Sequence, residues 1–342
     1  MGFEVWAPLD MYLPLAEVPD TARRVESMGF HGLLVIDSIT DGFLAAQAAI
    51  GAIREIRVGT AALVCFPRSP MTVAVAAWNL QAISGGRFHL GLGPLVRGNI
   101  VRKYSTPWTP PAPRMREYVQ SLKAIFDCWQ NGTPLDYRGE HYQFTRMQDF
   151  AKPPPIEHPD VPIHLAGIGP NMTALAGEIA DALVAHGTNS TPRFLRERTL
   201  PWLARGASRA NREVAEVTLF AGPMCATGRD EAAVRVQREQ QRSMLAKLYS
   251  TPSYWPTLDL YGWRERGEHL NRLVRENRWD ELDPIVTDEM LDTLIVAAPY
   301  AELADALRKA YGEITNTVML TVPKDPADDD AFAAVVQELR SL

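Results

Sequence analysis

Three places along the chain carry residue types able to do chemistry. The run Ala166-Gly167-Ile168-Gly169-Pro170-Asn171-Met172 passes straight from an apolar segment into a helical one. Glycines let backbone approach a ligand closely, and the unpaired N–H groups of a starting helix favour an anion, most often a phosphate. An ordinary strand-to-helix turn needs glycines as well, for their dihedrals alone, so both readings stand at this point. Gly91-Leu92-Gly93-Pro94 is a second place where backbone is cleared for a ligand. Asp37 ends the apolar run Gly32–Ile36 and offers either a carboxylate for acid–base work or a cap that orders the following loop. His89 and His164 sit inside apolar segments and read as satisfied core residues. The sequence holds no P-loop, no dinucleotide-binding glycine fingerprint, no HExxH and no GxSxG, and its seven histidines include no i, i+4 pair. The expectation is a protein without a metal site and without a serine nucleophile.

The elements that must position these residues alternate regularly. Apolar strand-like runs fall at Phe3–Pro8, Gly32–Ile36, Ile56–Val64, Arg87–Leu92, Val161–Ala166, Ala182–Ala185, Val217–Ala221 and Thr317–Thr321. Helical patterns lie between them, at Leu15–Met28, from Phe43, and at about Pro70–Ile83, Arg114–Trp129, Met172–Ile179 and Pro192–Arg209, with a closing helix at Asp330–Leu339. Strands that are apolar nearly throughout and separated by helices predict a parallel sheet buried on both faces. Eight such strands predict a single-domain (β/α)8 TIM barrel, whose chemistry belongs at the C-terminal ends of the strands. Asp37, Gly93 and Gly167–Pro170 all fall at such ends. Two stretches stand outside the repeat, at about 136–160 and about 248–292, and insertions at the mouth are expected from them. The second is rich in aromatics (Tyr249, Tyr254, Trp255, Tyr261, Trp263, Trp279). They serve either as the small core of an inserted helical unit or as a lid over substrate.

Composition narrows the class. A chain of 342 residues with 46% hydrophobic and 22% charged residues has enough apolar surface for a large core without disulfides. Cys65, Cys128 and Cys225 are odd in number and form no CxxC pair, which argues against a disulfide framework. A net charge of −6 argues against nucleic-acid binding. The absence of a long apolar run argues against a membrane span, and MGFEVWAPLD lacks the pattern of a secretory signal, so a cytoplasmic protein is expected.

Longer motifs resemble a family. The run Gly59-Thr60-Ala61-Ala62-Leu63, then Pro70, then Ile83-Ser84-Gly85-Gly86-Arg87-Phe88-His89-Leu90-Gly91-Leu92-Gly93, is similar to the bacterial luciferase-like monooxygenase superfamily. Pro162–Pro170 (PIHLAGIGP), followed by Gly177-Glu178-Ile179-Ala180-Asp181, resembles a later segment of it. The resemblance covers roughly residues 3–230 and the last strand. Within the superfamily the chain looks most similar to the branch that uses coenzyme F420, a 5-deazaflavin. FMN is the alternative cofactor, because the same phosphate turn serves both.

The resemblance implies that the ring sits at the C-terminal mouth against a non-proline cis peptide after strand three, here Ala61–Ala62. It implies cofactor contacts from Asp37, Val64, Gly93 and Asn99, and a phosphate turn at Gly167, Ile168, Gly169 and Pro170. The F420-dependent glucose-6-phosphate dehydrogenases carry Asp-His after strand two and a Glu after strand four. This chain has Asp37-Ser38 and Val96 there, so a sugar phosphate is not expected, and Asp37 is left as the candidate catalytic acid or base. Trp6, Ser38 and aromatics from Tyr249–Trp263 are candidates for a partly apolar pocket suited to an alcohol, a ketone or an enone. The implied reaction is hydride transfer between the deazaflavin C5 and such a molecule. The alternatives are an O2-using FMN monooxygenase and a non-catalytic flavin- or F420-binding protein. Homodimerisation is expected from the resemblance alone.

Overall fold

In a computed structural model of the protein, residues 2–341 are described. Eight parallel strands close into a barrel: β1 (Glu4–Pro8), β2 (Gly32–Val35), β3 (Arg57–Thr60), β4 (Phe88–Gly93), β5 (Ile163–Gly167), β6 (Ala182–Ala185), β7 (Thr218–Ala221) and β8 (Thr317–Met319). Each pairs with its neighbours in sequence, and Glu4 opposite Thr317 closes the ring between β1 and β8. The strands are short and buried nearly throughout, as apolar runs packed on both faces must be.

Helices α1 (Val18–Ser27), α2 (Gly42–Ala52), α3 (Pro70–Ser84), α4 (Pro111–Asn131), α5 (Pro170–Ile179), α6 (Leu200–Arg209), α7 (Tyr300–Tyr311) and α8 (Asp329–Arg340) surround the barrel. Their starts are sequence-encoded. Asp41 accepts hydrogen bonds from the N–H groups of Phe43 and Leu44 to cap α2, and Ser69 caps α3 ahead of Pro70. The main core fills the space between strands and helices. A smaller cluster, Trp6, Leu34, Ala182, Val184 and Phe220, fills the inside of the barrel.

Three features depart from the linear pattern. The segment read as one strand over Ile56–Val64 breaks after Thr60 and resumes as Leu63–Val64. The helical stretch Pro192–Arg209 contains a π-helical turn at Leu195–Thr199, just before Pro201, which has no N–H to donate. The seventh helix, Tyr300–Tyr311, has no counterpart in the alternation read from the sequence, because the unit inserted ahead of it interrupts that rhythm. That unit contains a parallel strand pair, Met224–Gly228 with Ile295–Pro299, and helices Glu231–Tyr249, Trp255–Leu260, Arg264–Arg275 and Asp288–Leu294. It has its own apolar core, in which Tyr249 is buried and Tyr254, Trp255, Tyr261 and Trp263 take part.

The unit leaves the barrel after β7 and so lies at the strand C-termini. There it docks on the segment following β6. The Tyr249 hydroxyl donates to the Thr188 carbonyl (2.9 Å), the Asn189 amide to Thr257 Oγ1 (3.0 Å) and the Tyr261 hydroxyl to Thr191 Oγ1 (3.1 Å). The Pro-rich stretch between α4 and β5 runs back along α4. Its hairpin (Tyr137–Arg138 with Gln143–Phe144) is held by Glu117, which accepts from the N–H groups of Glu140, His141 and Tyr142. No helix among the described residues is long and apolar enough to cross a membrane.

Candidate active site at the barrel mouth

Strand pairing fails at one point, and the site is built there. β3 and β4 pair as far as Gly59 opposite His89, and pairing resumes with Leu63 opposite Leu92, so the β3 side holds one extra residue. Across the gap the Thr60 side chain replaces the ladder, donating to the Gly91 carbonyl (2.7 Å) and accepting from the Gly91 N–H (2.9 Å). Only glycine fits at 91, since a Cβ there would stand 1.7 Å from the Thr60 carbonyl oxygen. The bulge contains a cis peptide bond between Ala61 and Ala62, the bond the resemblance points to.

Asp37 holds the far side of the bulge. Its side chain is 6% exposed, and its oxygens accept from the N–H groups of Gly42 (3.0 Å) and Val64 (2.9 Å) and from the Arg68 guanidinium at 2.6 and 3.3 Å. Arg68 also donates to Asp41 (2.6 Å) and to the Val64 carbonyl (3.0 Å). Burial works against the charge on Asp41, yet Arg68 and the two capping N–H groups hold its carboxyl below the ordinary range. Burial likewise opposes the charge on Arg68, and the two carboxylates more than offset it. The Tyr118 hydroxyl donates to the Arg68 carbonyl, and Arg114 donates to the Phe66 carbonyl, so the loop 65–68 is fixed from outside as well. Cys65 inside it is no nucleophile, because burial pushes its thiol up to about 12. Asp37, the candidate acid or base, has both oxygens engaged and acts as a clamp on the bulge.

The mouth is floored by small or apolar residues, with His186 the exception among the eight upper positions. Inward positions alternate along a strand, and those at the upper ends are Pro8, Ile36, Ala61, Gly93, Ala166, His186, Gly222 and Met319, all half-buried except Gly93, which is buried. A Cβ on Gly93 would stand 3.0 Å from that of Ala62 and 3.7 Å from that of Ala166, so its absence clears the centre of the dish. At the rim, β5 ends in Gly167-Ile168-Gly169-Pro170 and α5 begins. No side chain caps this turn, the first paired N–H is that of Thr173, on the Gly169 carbonyl, and open space surrounds the Cβ position of Gly169. A flat ring fits the dish, and an anion fits the uncapped turn.

Asp37, Ala61, Ala62, Val64 and Gly93 thus form one cluster, and Ala166 links it to the Gly167–Pro170 turn. Val64 itself is buried in the core. Ser38 is half-buried in the loop after β2, its N–H donating to the Thr40 carbonyl, and Asn99 is exposed on the short helix Arg97–Arg102. Trp6 is a correction. It does not reach the mouth but lies wholly buried inside the barrel, against His89, His164 and Phe220 and under Arg57: its register opposite Gly32, the first residue of β2, sets it below the mouth, and the missing Cβ of Gly32 gives its ring room. His89 and His164 are interior residues as expected, 3.0 Å apart nitrogen to nitrogen. Burial, the neighbouring imidazole and Arg57 push His89 down to about 2, and burial with Arg57 pushes His164 to about 3, so the pair is neutral.

The sequence reading passed over His186, the residue following β6. Its backbone is extended, so it continues the inward face above Val184, and its ring stacks on Tyr254 of the inserted unit (4.7 Å between centroids, 9° between planes). The inserted aromatics are therefore core for the most part, with Tyr254 also reaching the mouth. The signal available was the register Ala182, Val184, His186.

Residues 2–316 match a protein family described as luciferase-like monooxygenase. An uncharacterised protein of Mycobacterium tuberculosis is 35% identical over 334 residues, covering 97% of each chain. Among solved structures, the coenzyme F420-dependent tetrahydromethanopterin reductase from Methanopyrus kandleri superposes with a TM-score of 0.81 at 19% identity, over 99% of this chain and 98% of that one. An F420-dependent secondary alcohol dehydrogenase, in complex with an F420–acetone adduct, gives 0.74 at 19% identity over the whole of both chains. The oxygenating constituent of 3,6-diketocamphane monooxygenase from Pseudomonas putida, in complex with FMN, gives 0.68 at 13% identity over 100% and 98%. These likenesses establish the fold as the barrel of that family.

Proposed function

From the premise that the chain belongs to the luciferase-like monooxygenase family, we propose that it is an F420-dependent oxidoreductase acting on a small alcohol, ketone or enone. The observation that carries the reading is the dish of small residues around the Ala61–Ala62 bulge, with an uncapped helix start beside it. Ala61, Ala62 and Gly93 would support the ring, and the N–H groups of the Gly167–Pro170 turn would hold the phosphate. Asn99 lies on a neighbouring rim helix. When bound, the deazaflavin supplies a hydride acceptor or donor. The protein orients substrate over it: Asp37 and Arg68 keep the bulge in place, and the inserted unit roofs the β6 side and limits entry of water.

FMN is the competing cofactor, accommodated by the same dish and turn. Turnover separates the two. Anaerobic incubation with F420 and a panel of secondary alcohols should bleach the oxidised deazaflavin's visible absorbance. Oxygen-dependent product formation with reduced FMN, and none with F420, would overturn the proposal.

The protein is further proposed to be a homodimer. Helices α2 (GFLAAQAAIGA) and α3 (PMTVAVAAWNLQAIS) contain no Asp, Glu, Lys or Arg. Their outer sides expose Leu44, Val75 and Ile83. An uncharged apolar face of this kind is covered most simply by its own copy about a two-fold axis.

A further inference from the structure

We propose that the Nε2–H of His186, held in that tautomer by the Thr188 backbone, donates a hydrogen bond to the substrate oxygen, and that the site around it selects an uncharged, apolar alcohol or carbonyl compound. The inference rests on the oxidoreductase reading above and names the group that holds the substrate in it. Asp37 is fully engaged by Arg68 and two N–H groups. Among the eight upper inward positions His186 alone has a polar side chain.

His186 is placed for this by the strand. Ala182 and Val184 face the barrel interior, so the extended residue two positions on faces the mouth directly above them. Its ring caps the short turn Gly187–Asn189, with Nδ1 accepting from the Thr188 N–H (3.3 Å), and its face is held against Tyr254. The Thr188 hydroxyl lies between Nδ1 (2.8 Å) and Asn189 Oδ1 (2.9 Å) and can turn its one proton to either, but a backbone N–H cannot turn. Nδ1 is therefore the acceptor, and the neutral ring carries its proton on Nε2. Burial pushes the ring down to about 4, so it is neutral at rest. The ionisable group stacked on it is the Tyr254 phenol, raised by burial and neutral as well. Nε2 has no hydrogen-bond partner among the described residues and is not enclosed, which leaves a donor open to a ligand's oxygen.

The walls beside this donor are apolar. The Met319 methyl lies 2.9 Å from where a Cβ on Gly222 would stand, and Met224 Cγ 3.2 Å from where one on Gly187 would stand. Thioether chains mould to varied carbon skeletons. No cation stands at the eight upper positions to offset a carboxylate or phosphate on the substrate. For an alcohol, the O–H proton leaves to water, the carbinol hydrogen passes with its electron pair to the oxidised deazaflavin, and C–O becomes C=O. For a ketone the same hydrogen returns with its electron pair from the reduced deazaflavin, and the oxygen takes a proton from water. In both directions the oxygen carries negative charge at hydride transfer, and the Nε2–H stabilises it while staying on the ring.

Heteronuclear NMR of the apo protein, with the His186→Phe spectrum assigning the signal, should show a neutral ring protonated at Nε2. His186→Phe keeps a ring for Tyr254 and removes the donor, whereas His186→Gln keeps an N–H donor and loses the ring. In turnover of a secondary alcohol, His186→Phe should lower kcat by about 10²–10³-fold, and His186→Gln should be at least about tenfold more active than His186→Phe. F420 affinity should be unchanged in both, which also shows that they are folded. A role in packing alone would rank the two variants the other way. In the reverse direction a ketone should exceed the keto acid of equal length by at least about 100-fold in kcat/KM. An Nδ1-protonated ring in the apo protein, a His186→Phe kcat within about threefold of wild type, or a His186→Gln no more active than His186→Phe overturns the donor. Equal turnover of the keto acid overturns the substrate class. If the wild type binds no F420, the functional reading fails separately, and the apo tautomer still decides the donor.

Discussion

Asp37→Ala removes the carboxylate that ties three segments together: the loop after β2, the short strand after the bulge, and Arg68. Losing one partner of a buried ion pair costs about 3–5 kcal/mol, because the other charge is stranded. Here Arg68 keeps Asp41 at 2.6 Å and the Val64 carbonyl at 3.0 Å, which places the loss at the low end. The N–H groups of Gly42 and Val64 also lose their acceptor, at about 1 kcal/mol or more each where water does not replace it. The expected total is about 3–5 kcal/mol, according to whether water replaces the lost acceptor, read as a lower urea midpoint at unchanged slope. Arg68→Met should be comparably damaging, and the double variant should cost less than the sum of the two, since each change removes the same contacts. In the same samples F420 affinity should fall, because the bulge is no longer held. A cost below about 1 kcal/mol, with turnover abolished and cofactor affinity intact, would refute the clamp and return Asp37 to the role of acid or base.

Other expectations follow from neighbouring features. His89 and His164 are held neutral in the fold, well below the ordinary imidazole value, while the unfolded chain takes up protons near 6.5; stability is therefore full above that pH and declines below it. At about pH 5 the pair should have lost roughly 4 kcal/mol in urea titrations, and His164→Gln should flatten the decline; equal stability at about pH 7.5 and 5 would contradict this. Gly93→Val places carbon against Ala62 and Ala166 and should weaken F420 binding at least about 100-fold by fluorescence quenching, for about 1–3 kcal/mol of lost stability. Leu44→Glu with Val75→Glu puts charge on the uncharged helical face and should halve the mass seen by light scattering; a wild-type monomer would end the dimer proposal.

The barrel was legible because its strands are short apolar runs set between helices, and Asp37, Gly93 and Gly167–Pro170 could be placed at strand ends from that rhythm alone. What could not be read were consequences of contacts between strands. Ile56–Val64 looks continuous in hydropathy, and its break after Thr60 is set by a side chain bonding across to Gly91. Trp6 has the composition of a pocket residue and becomes core because its register opposite Gly32 sets it below the mouth, where the missing Cβ gives its ring room. The function of Asp37 depends on Arg68, 31 residues away, which nothing in the local sequence ties to it. His186 was readable in principle, by counting two residues on from Val184. It was overlooked because a lone histidine after a strand carries no motif.

The most direct test of the account is a titration of the purified apo protein with coenzyme F420 and, in parallel, with FMN, followed by quenching of cofactor fluorescence. The account predicts saturable binding of F420 at one site per chain, tighter than that of FMN. Binding of FMN alone, or of neither, would contradict it.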